Sequence, residues 1–203
     1  MSTSLQRAWA TDIVEAIPSV VFLALWRSDM DMQLAGWIGA VLAAVQLIGF
    51  RYYRVQYNPI MLGINIHLLV ITPLIMAAFA AGAREFSDML VAHSYRGVLI
   101  TVLLVGCGLT LFSPRGFIGI DNLSRTDCRK NSGILLAASA VAIAWAFNYT
   151  GGTLLAVAAP MIGLFGLRRF LVARTLDGSN QIGGIVALGA ASALPGGTDA
   201  DGV

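Results

Sequence analysis

Residues 60–82 read IMLGINIHLLVITPLIMAAFAAG, an apolar run without a single charged side chain. A helix needs roughly 20 such residues to cross the bilayer core, which is about 30 Å thick, at about 1.5 Å per residue. Within hydrocarbon the backbone must satisfy its own N–H and C=O groups, so a run of this kind has to be helical. Further apolar runs lie at about 13–26, 34–50, 97–113, 133–147 and 152–167. Composition agrees: 12% of residues are charged and 57% hydrophobic, with mean hydropathy +0.77, against about 25% charged in soluble domains. The expectation is an all-α, polytopic transmembrane helix bundle of about six spans over residues 1–174. Its first span is short enough to be either a full crossing or a re-entrant segment.

Residues 133–167 need a break, because 35 residues in one helix would reach about 52 Å, far beyond one crossing. NYTGG (Asn148–Gly152) supplies it, with a turn-forming Asn and a Gly pair. The Gly/Ala-rich tail, 175–203, contains QIGGIVALGAASALPGG, too short to span, and is expected to be disordered. No cleavable leader is expected, since Asp12 and Glu15 interrupt the apolar run that follows Arg7.

Six spans place ten of the thirteen basic residues on one side: Arg7, Arg51, Arg54, Arg115, Arg125, Arg129, Lys130, Arg168, Arg169 and Arg174. Arg27, Arg84 and Arg96 fall on the other. That bias predicts both termini in the cytoplasm, and Tyr52, Tyr53 and Tyr57 form an interfacial belt there. A net charge of +2 implies no nucleic-acid partner. Cys107 and Cys128 have no metal-ligand spacing, so neither a metal nor a cofactor is expected.

Polar side chains within spans are costly and are therefore candidate functional residues. Glu15, Gln46, Asn65 and His67 fall at similar depth, within about two turns of the cytoplasmic surface, and form a candidate intramembrane cluster; Asn148 lies apart. Two residues along a helix is about 200° of rotation, so Asn65 and His67 cannot face the same partner helix. Asp12 and Glu15 read as first-turn acids of a helix starting near Ile13, where the dipole favours them. Pro18 then predicts a kink or a broken start, and Pro73 a kink in the third span. Gly36, Ala40, Ala43 and Ala44, and Ala159 with Gly163, have the spacing of small-residue packing stripes within the bundle.

RGFIGIDNLSRTDCRKN (115–131) is the candidate cytoplasmic contact loop, through Arg115, Arg125, Arg129 and Lys130, for another membrane protein or an anionic lipid. The plainer reading of the same charges is a topology signal. Three function classes follow. A non-enzymatic scaffold suits the scarcity of buried charge. A small transporter or channel subunit would use the polar residues near the cytoplasmic side. A membrane enzyme would need clustered carboxylates, paired histidines or a nucleophile with its base, and His67 and His93 fall on different elements.

EAIPSVVFLALWR (Glu15–Arg27) resembles the opening of the bacterial inner-membrane septation protein A family: an acid, an Ile-Pro pair, a VVF core, then an aromatic and a basic residue. The likeness runs more weakly through the Ala-rich second helix and FRYYRVQ (Phe50–Gln56), about 45 residues of 203. The family's GGLTL and FIKWKPT stretches have no counterpart; CGLTLFSP (Cys107–Pro114) shares only GLTL, in a later span. The resemblance implies a multi-pass protein of the bacterial inner membrane, without enzymatic activity. It would be linked to envelope maintenance and septation and act through contacts with other membrane proteins.

Overall fold

The computed structural model describes residues 3–28, 31–121 and 124–192. They form six helices: α1 Thr3–Arg27, α2 Met32–Tyr53, α3 Pro59–Ala80, α4 Arg84–Phe112, α5 Arg125–Asn148 and α6 Thr153–Ser192. Five contain segments long and apolar enough to cross a membrane: Gln33–Tyr53, Pro59–Ala80, Arg84–Phe112, Arg125–Asn148 and Leu155–Thr175. In α1 only Val14–Leu25 is apolar, shorter than a crossing requires. The chain is therefore an all-α, multi-pass membrane protein.

Local sequence sets most of the boundaries. Asp31 caps α2 by accepting from Gln33 N–H at 2.9 Å, and Asn58 caps α3 by accepting from Ile60 N–H at 3.2 Å. Pro59 follows as the first residue of α3, where its missing N–H costs nothing. Ser124 caps α5, accepting from Asp127 N–H at 3.1 Å and donating to the Asp127 carboxylate at 2.6 Å.

α3 and α4 share the most extensive contact and form the centre of the bundle; α1 packs on α2 and α3, and α6 packs on α5 and α4. Small residues let the helices approach. A Cβ on Gly63 would come within 2.8 Å of Val102 Cα, so α3 and α4 touch backbone to backbone there. Gly36 faces Thr72 across α2 and α3, with Ala40 and Ala43 buried alongside. The inner core runs through Ile60, Leu99, Val102, Phe117, Ile118, Leu135 and Leu164. The outward faces carry large apolar side chains, among them Val45, Ile48, Leu104, Val141 and Ile162. Uncovered apolar faces on every helix of a bundle are what lipid solvates.

Several expectations differ from this architecture. α1 begins at Thr3 rather than near Ile13, so Asp12 and Glu15 lie in its interior, and Pro18 sits within an unbroken helix. α4 begins at Arg84 and α5 at Arg125, well before the apolar runs at 97 and 133. Hydropathy marks where hydrocarbon starts, whereas a helix propagates until something stops it. Nothing in 84–96 or 125–132 does so. For the same reason α6 runs on as helix through residues 175–192, a stretch expected to be disordered; no proline occurs between Pro160 and Pro195. Residues 193–203 lie outside the described residues. Ala159 and Gly163 face outward and are exposed, so that stripe packs no neighbouring helix of the bundle.

Candidate functional site

A proline inside a helix leaves the carbonyl four residues earlier without its N–H partner. For Pro18 that carbonyl belongs to Val14, and Gln46 Nε2 of α2 donates to it at 3.0 Å. The Gln46 amide oxygen accepts in turn from Asn65 Nδ2 of α3 at 3.3 Å. One side chain thus bridges α1 and α3, and Pro18 creates the acceptor it uses. Asn65 Oδ1 is buried with no hydrogen-bond partner among the described residues.

Glu15, the residue after Val14, is 1% exposed. Its carboxylate accepts from the backbone N–H of Asn58 at 3.0 and 3.2 Å to its two oxygens. Asn58 is the cap residue of α3, so the acid sits at the positive end of that helix's dipole. The dipole argument for Glu15 holds, but for a neighbouring helix rather than its own. Nearby, Tyr57 donates its hydroxyl to the Leu47 carbonyl and packs its ring 5.2 Å from Phe50. Burial pushes the Tyr57 phenol above its ordinary pKa.

Of the four intramembrane candidates, Gln46 and Asn65 are hydrogen-bonded to each other and Glu15 adjoins the same point of α1. His67 is apart. It turns to α4, where its Nδ1 lies 3.0 Å from Thr101 Oγ1 and its ring fills the space a Cβ on Gly97 would need. Asn148 ends α5 and donates to its own helix at Ala144. Local sequence predicts only a kink or a broken start at Pro18 and singles out neither Asn58 nor Ser132. The i−4 rule for proline and the Asn-Pro pair at Asn58–Pro59 are the signals that point to Pro18 and Asn58.

The α4–α5 connection is built into the bundle. Phe117 and Ile118 are fully buried, and their N–H groups both donate to Ser132 Oγ, at 2.9 and 3.3 Å. Arg168 Nε of α6 donates to the Ile118 carbonyl at 3.1 Å. Gly116 turns at φ +58°, and a Cβ there would meet Ser132 Oγ at 2.5 Å. Arg115 pairs with Asp121, which also accepts from Gln56 of the α2–α3 connection. The two connections therefore meet at one end of the bundle, together with Arg51, Arg54, Arg125, Arg129 and Lys130 near the helix ends there.

At that end a pocket of about 430 Å³ opens between α4 and α5. It is lined by Thr110, Leu111, Phe112, Ser113, Pro114, Gly116, Arg125, Cys128, Arg129 and Ser132. Cys128 lies against the Pro114 carbonyl at 3.5 Å. Among the described residues no three His, Cys, Asp or Glu side chains gather as metal ligands would. No known protein family, curated protein or solved structure matches the chain.

The opposite end is different in kind. Arg84 lies over the Phe79 ring at 5.8 Å, and Arg96 over Tyr95 and Phe147 at 5.2 and 5.5 Å. Those cations lie over aromatic faces, Arg96 half-buried and Arg84 exposed, whereas Arg125, Arg129 and Lys130 are all exposed.

Proposed function

We propose that this chain is a scaffold of the bacterial inner membrane that works without covalent chemistry, with the basic end as its cytoplasmic working face. The observation that carries the reading is the anchored α4–α5 connection. Ser132 and Arg168 fix its backbone, so Arg115, Arg125, Arg129 and Lys130 project from an ordered surface rather than a loose loop. The excess of basic residues at that end is the positive-inside signature. We take α1 as a sixth crossing: its 25 residues extend about 37 Å and pack along α2 and α3. The link to septation rests on the resemblance of Glu15–Arg27.

Photo-crosslinking in intact cells tests this reading. A crosslinker in place of Lys130 should capture discrete membrane proteins, while one in place of Arg84, at the other end, should not. Equal capture at both ends, or none at Lys130, refutes it. Reporter fusions in the 115–131 connection test the sidedness separately.

One observation favours transport as a second reading. Gln46 and Asn65, near the predicted cytoplasmic side, are hydrogen-bonded to each other inside the bundle, and a polar pathway would need such side chains. Substrate-dependent flux in proteoliposomes decides between the two. An enzyme has the least support: His67 is engaged by Thr101, and His93 Nδ1 lies 3.0 Å from the Met89 carbonyl of its own helix.

A further inference from the structure

We infer that the pocket between α4 and α5 holds the phosphate headgroup of an anionic phospholipid, with its acyl chains lying along the end of α4. Arg125 and Arg129 stand one turn apart on α5 and both line the pocket. Like charges at this spacing repel, and no ion pair among the described residues relieves either of them. Asp127, the nearest acid in sequence, is turned away and bonded to Ser124. An anion between the two guanidinium groups removes the repulsion and uses their planar donor geometry.

Two further observations favour a lipid over a free anion. Leu111 and Phe112, the last residues of α4, form the lip of the pocket and are 77% and 89% exposed. They sit where the span meets the interface, so the cationic wall and an apolar wall face one cavity. A phosphate ion would satisfy the arginines and leave both apolar side chains bare; a phospholipid covers them as well. At the pocket wall Ser132, wholly buried, accepts two backbone N–H groups and retains its hydroxyl proton to donate. A volume of about 430 Å³ suits a headgroup. Basic pockets of this type at the cytoplasmic ends of spans suit lipid phosphates.

The inference is independent of the scaffold reading, since lipid can fail to bind while protein crosslinks persist, and the reverse. The test uses the full chain in neutral detergent and measures binding of short-chain phosphatidylglycerol by native mass spectrometry. Phosphatidylcholine of equal chain length and inorganic phosphate serve as comparisons. Phosphatidylglycerol should bind at one saturable site, more tightly than phosphatidylcholine, and inorganic phosphate at matching concentration should not displace it. Arg125→Gln with Arg129→Gln should weaken binding about thirtyfold. Arg51→Gln with Arg54→Gln removes as much charge outside the pocket and should change binding less than about threefold. Each protein is first checked for monodisperse elution, and the wild-type lipid preference needs no variant. Equal binding of the two lipids, or an unaffected Arg125/Arg129 variant, overturns the inference. So does an equal loss in the Arg51/Arg54 variant, which would mean diffuse surface charge. Displacement by phosphate alone would make the site one for a free anion and overturn the lipid assignment.

Discussion

Gln46→Leu keeps the side chain's bulk but removes both of its hydrogen bonds, the one to the Val14 carbonyl and the one from Asn65. In water-soluble proteins an orphaned buried polar group costs about 1–3 kcal/mol. Within membranes, measured side-chain bonds average about 0.6 kcal/mol and reach about 1.7. Two such bonds put the loss at roughly 1.5 kcal/mol, or a fall in Tm of about 3–6 °C for a chain of this size. The informative step is to repeat the substitution in a Pro18→Ala background. Alanine supplies the missing N–H, so the Val14 carbonyl is satisfied within α1 and no longer depends on Gln46. Only the bond to Asn65 is then left to lose, and the penalty should fall by about half. Reversible unfolding of all four proteins in mixed micelles, followed by circular dichroism, gives the coupling energy. Additivity within about 0.3 kcal/mol, the behaviour of independent sites, would refute the claim that Gln46 serves the carbonyl Pro18 frees.

Gly63→Ala places a methyl group 2.8 Å from the Val102 backbone; forcing α3 and α4 apart should cost about 1–3 kcal/mol, and an unchanged thermal midpoint in detergent would contradict the close contact. Ser132→Ala strips the shared acceptor from the Phe117 and Ile118 N–H groups. Hydrogen exchange at those two amides should accelerate by about tenfold or more, from a loss of about 1–3 kcal/mol, while the amides of α3 should hardly change. Burial raises the Tyr57 pKa, so its stabilising contribution is complete below the ordinary tyrosine value of about 10 and is lost as pH rises through the higher folded value. Phenolate absorbance should therefore contain a late-titrating component that Tyr57→Phe removes; a substitution that leaves the late part of the curve unchanged argues against burial.

The crossings were legible because hydrocarbon thickness imposes a length on every apolar run, and NYTGG breaks the one run that is too long. The starts of α4 and α5 were not. Residues 84–96 and 125–132 are polar, and polarity says nothing about where an i→i−4 ladder ends. The polar residues were legible as types but only partly as partners. Helix rotation separates Asn65 from His67, and on α3 the first bonds to Gln46 of α2 and the second to Thr101 of α4. No rule of local sequence pairs Glu15 with Asn58, 43 positions away; that contact exists only once α1 and α3 lie side by side. The buried connection was missed for a related reason. RGFIGIDNLSRTDCRKN reads as a charged loop, yet Phe117 and Ile118 enter the core because Ser132, on the next helix, can satisfy both of their N–H groups.

Prolines in membrane helices are commonly read as kinks, but here their effect depends on what answers the carbonyl they leave behind. Pro73 frees the Leu69 carbonyl and Pro160 that of Ala156. Among the described residues neither accepts a side-chain hydrogen bond from another helix, whereas the Val14 carbonyl does. Among the described residues, therefore, only α1 converts its proline into a tertiary contact. α1 is also the helix whose apolar segment is too short to hold it in lipid by hydropathy alone. What its sequence lacks in length is made up by two polar anchors one residue apart, the Val14 carbonyl on Gln46 and the Glu15 carboxylate on the start of α3. It follows that weakening both anchors, by Gln46→Leu with Glu15→Gln, should release α1 from the bundle before any other helix, with protease or hydrogen exchange reporting the loss in α1 first. If α1 stayed protected until the whole bundle unfolded, apolar packing alone would suffice to hold it.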